Sequence, residues 1–184
     1  MDPSMRNRSD PRANTEDPVA AFASLYDAEM PRVYRYIRYQ VDSMEEAEDL
    51  TADVFHQALR HWPRMQKQLR SPRSWLLTLA THRVADHFRR RRNRPAFPLE
   101  AAPNLAGTQP GPEEMAVRQE EVNMLLARLS ELPERDRTIL TLRFAGELSH
   151  REIGQVLGIQ EGASAVALLR ALRRLRQSYQ GEER

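Results

Sequence analysis

Apolar residues recur along this chain at three- and four-residue steps in several separate stretches, and that spacing predicts helices. Phe22, Leu25, Tyr26, Val33, Tyr36 and Ile37 form the first stripe, which Pro31 interrupts in register. We therefore expect two short helices or one kinked helix from Val19 onward. Asp42 or Ser43 can cap the next helix, with Glu45 and Glu46 near its positive N-terminal end. Its apolar face runs through Ala47, Leu50, Val54, Ala58 and Leu59, leaves Phe55 in an exposed phase, and is expected to end before Pro63. Positions 63–73 read as a polar basic loop. Pro72 opens a further helix through Trp75, Leu76, Leu79, Val84 and Phe88, which must stop by Pro95.

The pattern then lapses. Pro95, Pro98, Pro103, Pro110 and Pro112, with Gly107 and Gly111, mark a semi-extended linker. Beyond it, Val117, Val122, Leu125, Leu126 and Leu129 define a helix, Leu132-Pro133 interrupts, and Ile139, Leu140 and Leu142 lie on another helix reaching Phe144. Ser149-His150-Arg151-Glu152 has the form of a capping box; its helix buries Ile153, Val156 and Leu157 and stops at Gly158. A turn from Ile159 to Gly162 leads to a last helix with the stripe Leu168, Leu172, Leu175 and Tyr179. No stretch reads as strand. The expected fold is all-α, two small helical domains at 19–94 and 113–180 joined by a Pro-rich linker at 95–112. A disordered tail at 1–18 precedes them and a short tail at 181–184 follows; no appended regulatory domain is expected.

Charge divides the chain differently. The formal sum of +2 over 184 residues conceals blocks: ten acids against four arginines in 16–60, eight arginines against Asp86 alone in 70–94, seven acids against two arginines in 95–134, and nine arginines against six acids in 135–184. Twenty-seven of the 28 basic residues are Arg, so nearly every cation can fork onto phosphates or base edges. A polyanion would meet two separate basic footprints. The absence of Cys excludes disulfides, thiolate zinc sites and cysteine nucleophiles. No stretch approaches the ~20 apolar residues of a membrane span, and Met1 to Asp17 is too polar for a signal peptide, so membrane insertion is not expected and a cytoplasmic location is.

A capped helix, a Gly-containing turn and a second Arg-studded helix describe a helix-turn-helix, whose second helix enters a major groove. A plain helical hairpin has a similar spacing. Arg170, Arg173, Arg174 and Arg176 flank the buried stripe of that second helix and can reach phosphates. The helix from Trp75 to Arg92 mixes aromatic, hydrogen-bonding and cationic groups, which suits a strand that is opened as well as held. Trp75 itself falls in phase with Leu79, a core position. Glu45, Glu46, Glu48, Asp49 and Asp53 crowd one helix, a poor surface for nucleic acid and a good one for a basic protein groove.

On these residues the chain resembles the small two-domain extracytoplasmic-function sigma factors of bacterial RNA polymerase. Glu46-Ala47-Glu48-Asp49-Leu50-Thr51-Ala52-Asp53-Val54-Phe55 is similar to the family's core-binding helix, and Ser74-Trp75-Leu76 through Ala85-Asp86-His87-Phe88-Arg89-Arg90-Arg91 to its minus-ten segment. Leu132-Pro133-Glu134-Arg135-Asp136-Arg137, Leu148 to Ile159 and Arg170 to Arg176 are similar to its minus-thirty-five domain. The resemblance implies a sigma factor that directs promoter-specific initiation and is not an enzyme, with no cofactor, catalytic residue or metal.

It implies docking of Asp49, Leu50, Asp53, Val54 and Phe55 on the clamp helices of the polymerase's largest subunit, and a contact to the flap of the second-largest. Minus-ten DNA is expected at Gln66, Lys67, Arg70 and Ser71, a loop that would receive a flipped base, and at His82, Arg83, Asp86, Arg89, Arg90, Arg91 and Arg92. Flipping costs a few kcal/mol that binding to the single strand must offset. Minus-thirty-five DNA is expected at Ser149, Arg151, Gln160, Ser164, Arg170, Arg173 and Arg174. An anti-sigma factor is an implied partner.

Three departures from the family pattern stand out. Ala52 replaces a usual Gln and His82 a common Asn, while Ala165 and Ala167 stand where Lys and Arg are frequent. Two lost bidentate base contacts would cost ~1–3 kcal/mol each, so promoter choice is expected to lean on the minus-ten domain. A helix-turn-helix regulator that never joins polymerase would explain residues 132–179 but leaves the acidic helix unused. His82 and Asp86 share a helix face without a further ligand nearby in sequence, which disfavours a metal hydrolase.

Overall fold

The computed structural model describes residues 17–92 and 112–180, with side chains at 17–92 and 120–180. Seven helices account for nearly all of them: α1 (Pro18–Arg38), α2 (Met44–Met65), α3 (Pro72–Arg92), α4 (Pro112–Glu131), α5 (Glu134–Phe144), α6 (His150–Leu157) and α7 (Glu161–Gln180). No strand occurs among the described residues. Most of the tail and linker expected at 1–18 and 95–112, with residues 181–184, lies outside the described residues.

Local chemistry sets the helix ends. Asp17 caps α1 by accepting from the Val19 N–H (3.0 Å), and Pro18 takes the first turn, so the ordered chain begins slightly ahead of the expected boundary. Pro31 does not split α1: Arg32 Nη1 bonds the Ala28 carbonyl (2.9 Å) beside the interruption. Ser43, not Asp42, caps α2 in a full capping box with Glu46. Helix α2 also runs through Pro63 to Met65, three residues past its expected end. The preceding residue, Trp62, anchors that last turn. It packs edge-on against Phe22 (5.7 Å) and near Trp75 (6.4 Å), and its Nε1 donates to the Pro18 carbonyl (2.9 Å). A proline costs less where tertiary packing holds the turn around it.

Helices α1–α3 bundle around Val33, Tyr36, Ile37, Ala47, Val54, Ala58, Leu76, Leu77 and Ala80. Phe55 belongs to this core as well: it is 5% exposed and its ring meets Tyr26 at 4.7 Å, correcting its assignment to the surface. Helices α4–α7 enclose Leu129, Ile139, Leu142, Leu148, Ile153, Leu168 and Ala171. Ser149 and Glu152 form the expected capping box, and Gly158 ends α6 with φ 66°, a left-handed residue that glycine adopts without strain. The last helix begins at Glu161, so Gly162 lies in its first turn rather than in the connection.

The two units pack against each other. The Leu77 side chain approaches the Cα face of Gly146, and Gln40 Nε2 donates to the Thr141 hydroxyl (2.6 Å), with both residues buried. The Arg137 guanidinium lies 5.7 Å from the centre of the Phe88 ring. Core residues of both units thus form one continuous cluster.

Candidate protein- and nucleic-acid-binding surfaces

Helix α2 turns Ala47, Leu50, Val54 and Ala58 inward, which leaves Glu45, Glu48, Asp49, Ala52, Asp53 and His56 on one exposed strip. Of the five residues expected to meet a protein partner, Asp49 and Asp53 are therefore exposed, whereas Leu50, Val54 and Phe55 face the bundle. Carboxylates four residues apart repel by ~0.2–0.5 kcal/mol per pair, and this strip carries Glu45–Asp49 and Asp49–Asp53. Among the described residues only a weak contact to Arg83 (4.0 Å) offsets Asp53, which is 56% exposed. The strip can offer this charge to a cationic partner at little further desolvation cost.

The opposite sign gathers on α3. His82, Arg89, Arg90 and Arg92 are exposed, while Arg83, Asp86 and His87 are half-buried. Ion pairs thin the block: Asp86 holds Arg89 (2.9 Å) and Asp42 holds Arg91 (2.7 Å). Hydrogen bonding to Asp42 raises the Arg91 pKa further above its already high value. Among the described residues Arg90 and Arg92 carry no ion pair. Lys67 and Arg70 are exposed on the loop before α3, and Gln66 is half-buried at the end of α2. Gln66 and Lys67 also line an open cleft of about 820 Å³ whose other wall is the start of α1, with Trp62 and Pro72 between. Trp75 is partly buried in the core.

The helix-turn-helix is α6, the turn at Gly158 and α7. Ser149, Arg151, Gln160, Arg170 and Arg173 are exposed. Ser164 is fully buried, with its hydroxyl 3.4 Å from His150 Nδ1, so it fastens α7 to α6 instead of facing outward. Arg174 is committed to Asp136 across α5 and α7. The outer face of α7 is apolar where the sequence suggested polar readout: Val166 and Leu169 are about half exposed, and Ala165 is exposed as well. Sequence periodicity assigned α7 a single buried stripe and passed over this second apolar strip.

One cluster joins the two units and was missed in the sequence. Glu147, in the turn between α5 and α6, meets Arg32 Nε (2.9 Å), Arg35 Nη2 (3.2 Å) and Arg73 Nη1 (3.8 Å). The Arg32 hydrogen bond, opposed by burial and then aided by the Arg32 and Arg35 charges, lowers the Glu147 pKa. Buried Glu29 braces Arg73 (3.1 Å) and Arg32 (3.8 Å). Nearby, Glu152 uses Oε2 for the Ser149 N–H (2.9 Å) and hydroxyl (2.8 Å), and Oε1 for the hydroxyls of Ser71 (3.0 Å) and Ser74 (3.1 Å). These partners stand 78 and 81 residues away in sequence, and no local pattern announces them.

Burial pushes the Glu152 carboxyl up, but the Ser149, Ser71 and Ser74 hydrogen bonds outweigh it and bring the pKa down to about 2. A group lowered from 4.5 stabilises the fold fully above that value and loses its effect as pH falls toward about 2. The melting-temperature gap between wild type and Glu152→Gln is therefore expected to be widest near neutrality and to shrink below pH 4.5. A gap independent of pH would contradict the assignment.

Two domain families match the chain in order: sigma-70 region 2 over residues 25–94 and sigma-70 region 4 over residues 123–175. The chain is 36% identical over 155 residues to the ECF RNA polymerase sigma factor BldN of Streptomyces coelicolor, covering 84% of itself and 59% of that protein. It is 32% identical over 160 residues to the ECF RNA polymerase sigma factor SigD of Mycobacterium tuberculosis, covering 85% of itself and 76% of SigD. Its fold is similar to CnrH, solved in complex with the cytosolic domain of CnrY (TM-score 0.66, 20% identity, 88% of each chain). It is also similar to the sigma factor RpoE of Bartonella quintana, solved with the anti-sigma factor NepR (TM-score 0.65, 17% identity, 85% of this chain and 95% of that one).

Proposed function

This chain belongs to the ECF RNA polymerase sigma factors, with sigma-70 regions 2 and 4 in one sequence, and from that premise we propose that it binds core RNA polymerase and directs initiation at specific promoters. The observation that carries the reading is the order of the two regions on a chain whose units offer, in turn, an acidic strip, a basic helix and a helix-turn-helix. The relatives named are sigma factors, which are not enzymes. No helix among the described residues is long and apolar enough to cross a membrane, in keeping with work in the cytoplasm.

In this reading Asp49 and Asp53 dock on the clamp helices of the largest subunit, and Leu50, Val54 and Phe55 support them from beneath. Arg90 and Arg92, with His82 and Arg89, line the opened minus-ten element, and the loop from Gln66 through Lys67 and Arg70 to Ser71 receives an extruded base. Helix α7 approaches the upstream element through Arg170 and Arg173, with Ser149, Arg151 and Gln160 beside it; Arg174 and Ser164 hold the unit together. The second-largest subunit's flap and an anti-sigma factor complete the partners; the structurally similar RpoE of Bartonella quintana was solved with the anti-sigma factor NepR.

Because Ala165 and Ala167 supply no donor, scrambling the upstream element is expected to cost less transcription than scrambling the minus-ten element, by roughly five- to a hundredfold for each missing ~1–3 kcal/mol contact. Transcription of matched templates by core enzyme plus this chain measures it. Equal losses from the two scrambles would contradict the assignment of specificity to α3 and its loop.

A further inference from the structure

Helix α7 packs on its own unit through Ser164, Leu168 and Ala171, which are buried. The opposite side of its first turns carries Ala165, Val166 and Leu169, all exposed, with Val166 and Leu169 about half open to solvent. A helix that reads polar base edges places donors and acceptors there; this one places methyl groups. In the major groove thymine alone presents an apolar group, its C5-methyl. We propose that Val166 and Leu169, with Ala165 beside them, read the upstream element through thymine methyls, so that the preference of this helix is set by apolar contact and not by hydrogen bonds.

Single apolar residues on a surface are ordinary. Val166 and Leu169, however, lie three residues apart on the face that enters the groove when α6 and α7 dock as a helix-turn-helix. Three residues advance a helix by ~4.5 Å, and base pairs rise ~3.4 Å each, so the two side chains meet neighbouring pairs. One turn earlier, a Cβ at Gly162 would find nothing within 4 Å, so the tip of the helix is unobstructed.

Charge names the occupant. Glu161 is the sole acid of α7, and it stands at the helix start. Beyond the apolar strip come Arg170, Arg173 and Arg176, all exposed and without an ion pair among the described residues, and Arg151 on α6 is exposed as well. A protein groove complementary to this surface would need a wholly acidic rim. A DNA groove supplies one: phosphates along its walls for the guanidiniums, and methyls on its floor for Val166 and Leu169.

The inference rests on the proposed assignment of α7 to the upstream element. Its test uses holoenzyme assembled from core polymerase and the full chain, on a promoter whose start site has been mapped. Replacing the thymines of the upstream element one by one with deoxyuridine removes each methyl and leaves every hydrogen-bonding group in place. Promoter affinity should fall about fourfold at each contacted methyl, and the same replacement in the spacer should change nothing. Val166→Ala with Leu169→Ala shortens both side chains and keeps a strong helix former at each position. This variant should bind the thymine template more weakly and treat thymine and deoxyuridine templates alike; circular dichroism reports whether α7 persists, and the comparison on the unaltered chain stands whether or not it does. Equal binding of both templates by the unaltered chain would overturn the proposal, as would an upstream element without thymine on either strand. A folded double variant that stays as sensitive to deoxyuridine as its parent would also overturn it, because the methyl would then act through DNA shape. Should no holoenzyme form, the sigma reading falls, and capture of randomised duplexes by the chain alone judges the methyl readout separately. Thymine-containing sequences enriched from a thymine pool and lost from a deoxyuridine pool would uphold it; the same sequences from both would overturn it.

Discussion

Asp49→Arg combined with Asp53→Arg is expected to abolish capture of core RNA polymerase, and with it promoter-directed transcription, while leaving the chain folded. Both side chains lie on the exposed strip of α2, and neither makes a short ion pair among the described residues. Reversal turns the repulsion between positions 45 and 49 into attraction but keeps a like-charge pair at 49 and 53 and sets position 53 against Arg83, so the small surface effects offset and the melting temperature should change little. At a docked interface the balance differs. Close charge pairs in protein complexes couple by ~1.5–7 kcal/mol, so turning two attractions into repulsions predicts an affinity loss of at least about a thousandfold. The strip is the polymerase surface if titration with core enzyme shows that loss at unchanged stability. If the double variant still forms holoenzyme with near-native affinity, the acidic strip serves something else.

The second large effect is on the helix-turn-helix. A Cβ at Gly154 would lie 2.6 Å from the Ile159 carbonyl oxygen, a backbone atom in the turn that aims α7. Because backbone cannot rotate aside as a side chain can, Gly154→Ala should cost about 1–3 kcal/mol and Gly154→Val more. Against a domain stability of ~5–15 kcal/mol, that is enough to lower the melting temperature by many degrees. Gly162 provides the control, since a Cβ there meets nothing within 4 Å and lies in the first turn of α7. Gly162→Ala should leave stability unchanged or raise it by up to about 1 kcal/mol. Thermal unfolding of the two variants decides the matter: equal melting temperatures would mean the turn yields and the close approach carries no energy.

How much of this was readable in advance depended on how local the cause was. Ser43, Ser149 and Gly158 act within one turn of their own helix, so their roles as caps followed from sequence spacing and reappear in the fold. Pro63 did not behave as a stop, because Trp62 holds the end of α2 through Phe22 and the Pro18 carbonyl, some 40 residues distant. Phe55 and Ser164 were misplaced for a related reason. A helix with two packed neighbours buries a wider arc than a single stripe, and Tyr26 and His150 supply the second contact in each case. Glu147 and its three arginines were illegible altogether, since Arg32 and Arg35 lie 115 and 112 positions away, Arg73 is also distant in sequence, and all meet only after both units have folded. The composition did anticipate the acidic strip and basic helix, although Asp42 and Asp86 neutralise part of the Arg run.

A chain that turns core RNA polymerase into a promoter-specific enzyme should leave its mark on the transcript 5′ ends mapped after it is added to purified core enzyme and genomic DNA. Discrete start sites are expected, absent with core enzyme alone, preceded by a shared minus-ten sequence and a weaker upstream one, and lost with the Asp49→Arg/Asp53→Arg variant. Transcription indistinguishable from core enzyme alone, with the chain binding duplex DNA tightly by itself and ignoring the polymerase, would contradict it.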